Sequence, residues 1–126
     1  MFEKSEAFSS FAVSDLEAAK KFYGSTLGLD VKDTPMGVLD VTMPSGATVM
    51  VYPKPDFVPA TYTILNFRVD DIGAAVEKLT KAGITMEHYD RPEIKTDDQG
   101  IARDEGQAIA WFTDPAGNIL SVLETQ

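Results

Sequence analysis

The chain contains no cysteine, which excludes a disulfide framework, a thiolate nucleophile and a cysteine metal site, and suits a reducing compartment. No apolar run approaches the roughly 20 residues needed to cross a bilayer. The N-terminal stretch MFEKSEAFSS lacks the basic-then-apolar order of a secretion leader, so the expectation is a soluble, unprocessed, cytoplasmic protein. Positive charge is also scarce: eleven basic against twenty acidic residues give a formal charge of -9. Such a surface repels phosphate backbones and anionic lipid, so neither nucleic acid nor a membrane is expected as a partner, and a cationic ligand would be steered inward. The acids are dispersed, as on a solubilising surface, rather than gathered in a tail.

What is present is a pattern written twice. FAVSDLEAA near the N-terminus returns as FRVDDIGAA, with Phe11, Val13, Asp15, Leu16, Ala18 and Ala19 matching Phe67, Val69, Asp71, Ile72, Ala74 and Ala75 at a constant offset of 56. A second pair, VTMPSGATVMV from Val41 and FTDPAGNILSV from Phe112, shares Thr-x-Pro-x-Gly at an offset of 71. The offset grows because the second half carries extra residues between about Arg91 and Gly106, a polar stretch that reads as a loop.

Each copy opens with a strand whose residues alternate: Ser9, Phe11 and Val13 against Phe8, Ser10 and Ala12, then Leu65, Phe67 and Val69 against Ile64, Asn66 and Arg68. A helix follows, with Ser14 and Glu17 in capping-box spacing, and with Asp70 or Asp71 as the cap of the second copy. Leu16, Ala19, Phe22 and Tyr23 form one apolar stripe and Ile72, Ala75, Val76 and Leu79 the other, each helix running about three turns toward Gly28 or Gly83. Three further strands complete each copy, near 29–33, 37–43 and 48–52, then near 85–89, 108–112 and 119–123. Tight turns at Pro44-Ser45-Gly46 and Pro115-Ala116-Gly117 join the last two strands. The expected class is α+β, two βαβββ modules over 5–53 and 61–124 in a single domain, joined by a proline-rich linker at 54–60.

A strand ending in V-S/D-D, a helix opening L/I-x-x-A, and a closing D-P-x-G-N before an apolar strand resemble the vicinal oxygen chelate superfamily, which includes glyoxalase I, extradiol dioxygenases and bleomycin-resistance proteins. The resemblance runs from about Ala7 to Glu124. It implies eight strands curled into an incomplete barrel around a cup, helices outside, and in catalytic members one divalent metal. The ligands it implies are a histidine seven residues before the helix-opening Asp and a glutamate four residues after the turn glycine. Here those positions hold Phe8, Ile64, Ser121 and Met50. None offers the imidazole nitrogen or carboxylate oxygen that such an ion needs, so no metal and no cofactor are expected there.

Strand alternation puts Phe8, Ser10 and Ala12, Thr48, Met50 and Tyr52, Ile64, Asn66 and Arg68, and Ile119, Ser121 and Leu123 on the faces away from the helices. The candidate ligand-binding residues are Phe8, Ser10, Met50, Tyr52, Ile64, Asn66, Arg68, Trp111 and Ser121, an apolar lining with a few polar groups. Arg68 either points inward and needs an anionic partner or is an exposed strand-end arginine. Trp111 either walls a ligand or packs in the core, since one of Trp111 and Phe112 must face the helix. His88, the single histidine, stands on a strand with Glu87 pointing the opposite way, which prevents joint chelation. Asp97 and Asp98 lack calcium-loop spacing. The 91–106 loop is long enough for a lid.

Three functions compete. The first is a metal-free protein that binds a small, largely apolar organic molecule in the cup. The second is an enzyme, a lyase, isomerase or dioxygenase with a non-standard metal site, although no carboxylate dyad or nucleophile–base pair supports it. The third is a scaffold for a partner protein. The resemblance also implies a homodimer.

Overall fold

Alternating apolar residues build a four-stranded sheet from each half of the chain, as seen in a computed structural model that describes residues 1–125. The halves form two compact units with the boundary between Pro59 and Ala60. The class is α+β.

In the first unit, β1 (Ser9–Val13), β2 (Asp30–Asp33), β3 (Leu39–Thr42) and β4 (Thr48–Pro53) lie in the order β1-β4-β3-β2. β1 is parallel to β4; the other pairs are antiparallel. Helix α1 (Leu16–Lys20) is capped by Asp15, not by the expected Ser14: the Asp15 backbone is extended and its carboxylate accepts the Ala18 N–H at 3.1 Å. A carboxylate directly before the first helical residue reaches that amide, and its charge suits the helix N-terminus. The expected three α-helical turns are also corrected, because after Lys20 the helix widens into a π-helical segment, Lys21–Thr26, closed by Leu27 N–H on the Phe22 carbonyl at 2.9 Å. The widened turn carries Phe22 and Tyr23 inward together, with the Tyr23 ring 5.1 Å from Phe22 and 5.6 Å from Phe11. Val13, Leu39, Val41, Val49 and Val51 meet them from the sheet, all buried. Burial of each such side chain contributes about 1.5–3 kcal/mol relative to exposure.

The second unit repeats the order: β5 (Thr63–Arg68), β6 (Ile101–Asp104), β7 (Gln107–Thr113) and β8 (Ile119–Thr125) lie as β5-β8-β7-β6, with β5 parallel to β8. Helix α2 (Ile72–Lys81) is capped by Asp71, whose carboxylate accepts Ala74 N–H at 3.1 Å. Val76 and Ile72 pack with Ala108, Ala110, Phe112, Leu120 and Val122 from the sheet, all buried. The Asp114–Asn118 turn is fixed by the buried Asp114 carboxylate, which accepts from the amides of Ala116 and Asn118 and from Asn118 Nδ2 at 2.9–3.0 Å.

The outer strand of this sheet differs from expectation. Residues 85–89 form no strand, and a single backbone bond, Glu87 N–H to the Trp111 carbonyl at 2.8 Å, ties them to β7. β6 comes instead from within the stretch expected as a loop. That stretch first turns back at a bridge between Asp90 and Lys95, and Thr96 bonds Tyr89 through both backbone and hydroxyl. Asp97 then accepts from Gln99 and Ile101 amides, and Gly100 at φ +84 brings the chain against Glu87 and into β6. The local polar and glycine content marked irregular chain correctly up to Gly100; the short strand after it is made by pairing with β7, which local composition does not report.

The register confirms that the two halves are equivalent. Ser10 pairs with Met50 and Met50 with Asp40; Asn66 pairs with Ser121 and Ser121 with Trp111. These are the same rows of the same sheet at the two sequence offsets.

Candidate functional site

Each sheet covers one face with its helix and leaves the other free of helix, and pleating decides which side chain goes where. In the first unit the helix-free face carries Ser10 and Ala12 of β1, Met50 and Tyr52 of β4, and Asp40 and Lys32 farther across. Ser10 is exposed, Met50 and Tyr52 are half-buried, and Phe8 lies just before β1 at 64% exposure. In the second unit the corresponding face carries Asn66, Arg68, Ser121, Leu123 and Trp111, while Ile64, expected there by simple alternation, falls at a bulge where the pairing jumps from Thr63 opposite Ile119 to Leu65 opposite Leu120. Ile64 and Trp111 are half-buried, Asn66 and Arg68 exposed, and Ser121 fully buried. The nine candidate residues therefore fall into two groups, Phe8, Ser10, Met50 and Tyr52 on one sheet and Ile64, Asn66, Arg68, Trp111 and Ser121 on the other.

The second face holds the more defined polar geometry. Ser121 Oγ donates a short hydrogen bond to Asn66 Oδ1, which leaves the Asn66 amide nitrogen with its N–H groups directed away from that bond. Arg68 is at the exposed end of β5, where its Nη1 donates to Thr125 Oγ1 at 3.0 Å, and it forms no ion pair among the described residues. Its side-chain partner is a hydroxyl rather than a carboxylate. Phe112 takes the helix side and Trp111 the open side, which resolves the alternation left open by the sequence.

Two residues on this face were not singled out from the sequence as binding candidates. The Tyr89 ring stands edge-on to Trp111 at 5.4 Å and 80°, and the Arg91 guanidinium lies 4.9 Å over the Tyr89 ring. Arg91 also approaches Glu93 at 3.9 Å. The available signal was the aromatic residue at the end of the expected 85–89 strand, two residues from Glu87. His88 lies on the other side of that segment and lines a groove beside α2.

The divalent metal implied by the resemblance does not fit these residues. Phe8 and Ile64 offer no donor atom, Met50 offers a thioether, and the Ser121 hydroxyl is buried and engaged with Asn66. No group of three His, Cys, Asp or Glu side chains is placed to hold a metal among the described residues.

The groove at His88 has a volume of about 710 Å³ and is lined by Val76, Thr80, Ile84, Met86 and Asp98 as well. A smaller one of about 440 Å³ lies in the first unit along Lys20, Gly24, Leu29 and Val31. Lys20 and Gly24 match Val76 and Thr80 at the offset of 56. A hollow present twice, at equivalent places beside each helix, follows from the helix-to-strand connection itself.

The sequence pattern of the Glyoxalase/Bleomycin resistance protein/Dioxygenase superfamily matches residues 8–122. No curated protein matches the chain. Among solved structures it is similar to a glyoxalase family protein from Enterococcus faecalis, at 25% identity and TM-score 0.69 over 98% of this chain and 100% of that one. It is similar also to an antibiotic binding protein from a Streptomyces species, at 24% identity and TM-score 0.65 over 98% of both chains. A third is a glyoxalase/bleomycin resistance protein/dioxygenase from Alicyclobacillus acidocaldarius, at 17% identity and TM-score 0.68 over 99% and 95%.

Proposed function

Since the chain belongs to the Glyoxalase/Bleomycin resistance protein/Dioxygenase superfamily, we propose that it binds a small organic molecule on its helix-free sheet faces and does so without the divalent metal of catalytic relatives. The observation that carries this reading is the replacement of all four implied ligand positions by Phe8, Met50, Ile64 and Ser121 on faces that otherwise combine apolar side chains with a few hydrogen-bonding groups. The fold is shared with an antibiotic binding protein and with glyoxalase family proteins alike, so the preference for binding over catalysis rests on those four residues. Nucleic acid is an unsuitable partner for a chain of charge -9. No helix is long and apolar enough to cross a membrane. The reading further places the protein in the cytoplasm, with modules 5–53 and 61–124 joined by linker 54–60 acting as one domain, and as a homodimer.

Elemental analysis of protein purified without chelator, from cells supplied with zinc, manganese, nickel and iron, tests the metal-free part. Metal well below one atom per chain is expected, and a stoichiometric metal would overturn it. A thermal-shift screen of small organic compounds tests binding: a ligand at a hundred times its Kd stabilises by about 2.7 kcal/mol. Light scattering tests the dimer, and a monomeric mass would count against it.

A further inference from the structure

We infer that the helix-free face of the second unit selects a planar aromatic acid, its ring laid on Trp111 and its carboxylate received by Arg68 and Asn66; this rests on the binding reading above and names its ligand class. Trp111, Ser121 and Asn66 form one row across β7, β8 and β5, and Arg68 opposite Leu123 stands in the next row on the same face. Neighbouring strands lie about 4.8 Å apart, so the indole and the donors at β5 are about 10 Å apart, the length of a two-ring aromatic acid. Ser121 and Leu123 lie between them, and Ser121 uses its hydroxyl on Asn66 Oδ1. That bond orients the Asn66 amide with its N–H donors outward. Arg68 spends one N–H on Thr125, which fixes the guanidinium plane and leaves further donors for a carboxylate.

The aromatic wall is itself braced. Tyr89 meets Trp111 edge-on, Arg91 covers Tyr89, and Thr96 holds the Tyr89 backbone from both sides. Tyr89 is thus a positioning residue that sets the indole plane. The charged residues that pairing places on this face are Arg68 and, on the far edge strand, Asp104 opposite Gln107. The same row in the first unit holds Ser10, Met50, Asp40 and Lys32, which offer no ring and no such donor pair. A preference for an anion would run against the overall charge of -9, so it would report local recognition rather than bulk attraction.

Trp111 is the single tryptophan, so its emission reports this face alone. The test uses 2-naphthoate, 2-naphthylmethylammonium and cyclohexanecarboxylate, with calorimetry for affinity and Trp111 emission for location. Naphthoate is expected to bind tightest and perturb Trp111 saturably. Arg68→Gln should weaken naphthoate by about tenfold or more and Arg68→Lys by less, as loss of a charge-assisted pair requires. Neither should alter the ammonium probe. Tyr89→Leu should weaken naphthoate several-fold and shift the emission of the free protein while the melting temperature of the Arg68 variants stays at the wild-type value. An ammonium probe that binds as tightly as naphthoate, or naphthoate binding untouched by Arg68→Gln, overturns the ligand class. If naphthoate fails to bind while other compounds in the thermal-shift screen do, this inference falls and the binding reading stands; if nothing in either assay binds, both fall.

Discussion

The two units share strand order and register yet fill their cores from opposite sides. In the first, bulk comes from the helix: Phe22 and Tyr23 are buried, and the sheet contributes the smaller Val41 and Val49 to the same core. In the second, the helix offers Val76 and the sheet supplies Phe112, which stands at the position of Val41. The same interlayer space is filled by an aromatic ring from either wall, because packing density fixes the sum of volumes and not their source. The helices differ in step with this: the unit that carries two adjacent aromatic residues inward has the π-helical widening, whereas α2 keeps regular turns.

Exchanging core residues between the units breaks this arrangement most severely. Phe112→Val and Tyr23→Leu each give one unit the size of residue found in the other, and each should cost about 2–4 kcal/mol in urea unfolding, since neither cavity has a partner to refill it. A next, smaller effect concerns the inserted stretch that only the second unit possesses. A Cβ at Gly100 would lie 3.0 Å from the Glu87 carbonyl at φ +84, so Gly100→Ala should lose about 1–3 kcal/mol. The loosened 97–100 turn should raise amide exchange in β6 above that in β2. The smallest effect belongs to Lys20, which bonds Asp33 at 2.5 Å where the second unit has the buried Val76. The Asp33 carboxylate, through the hydrogen bond first and its charge second, raises the Lys20 pKa. A raised lysine contributes below its unfolded pKa and loses that contribution as pH climbs through the folded one, so the pair should matter at neutral pH and vanish in strong alkali. Being exposed and screened, it should shift the melting temperature by no more than about 2 °C in Lys20→Ala.

The architecture was legible because the repeat carried it. Phe11 and Phe67, Asp15 and Asp71, and the two Pro-x-Gly turns stand at fixed spacings, and local pattern decides where such elements begin. Side-chain direction followed from pleating wherever the ladder is regular, as for Ser10, Met50, Asn66 and Ser121, but not at Ile64, where a bulge in β5 breaks the alternation, nor at Phe8, which precedes β1. Choices made by tertiary packing were not legible. Ser14 and Asp15 are both competent caps, and only the folded backbone, with Asp15 extended and its carboxylate on the Ala18 amide, distinguishes them. The outer strand of the second sheet uses 101–104 rather than 85–89 because Tyr89 and Thr96 fold the intervening chain back on itself. That contact between residues seven apart has no periodicity to betray it, and with it went the role of Tyr89 beside Trp111.

The insertion also shows where this architecture admits new chain. β6 has one neighbour, β7, whereas β8 and β4 are bonded on both sides. Extra residues that enter just before a rim strand displace no existing ladder, and their cost is a loop closure that rises only slowly with length. Each sheet therefore has a seam open to grafted segments at its β2 or β6 margin, and the second unit shows one such graft in place, its Thr96 holding Tyr89, just ahead of the insertion, beside Trp111 of the neighbouring strand.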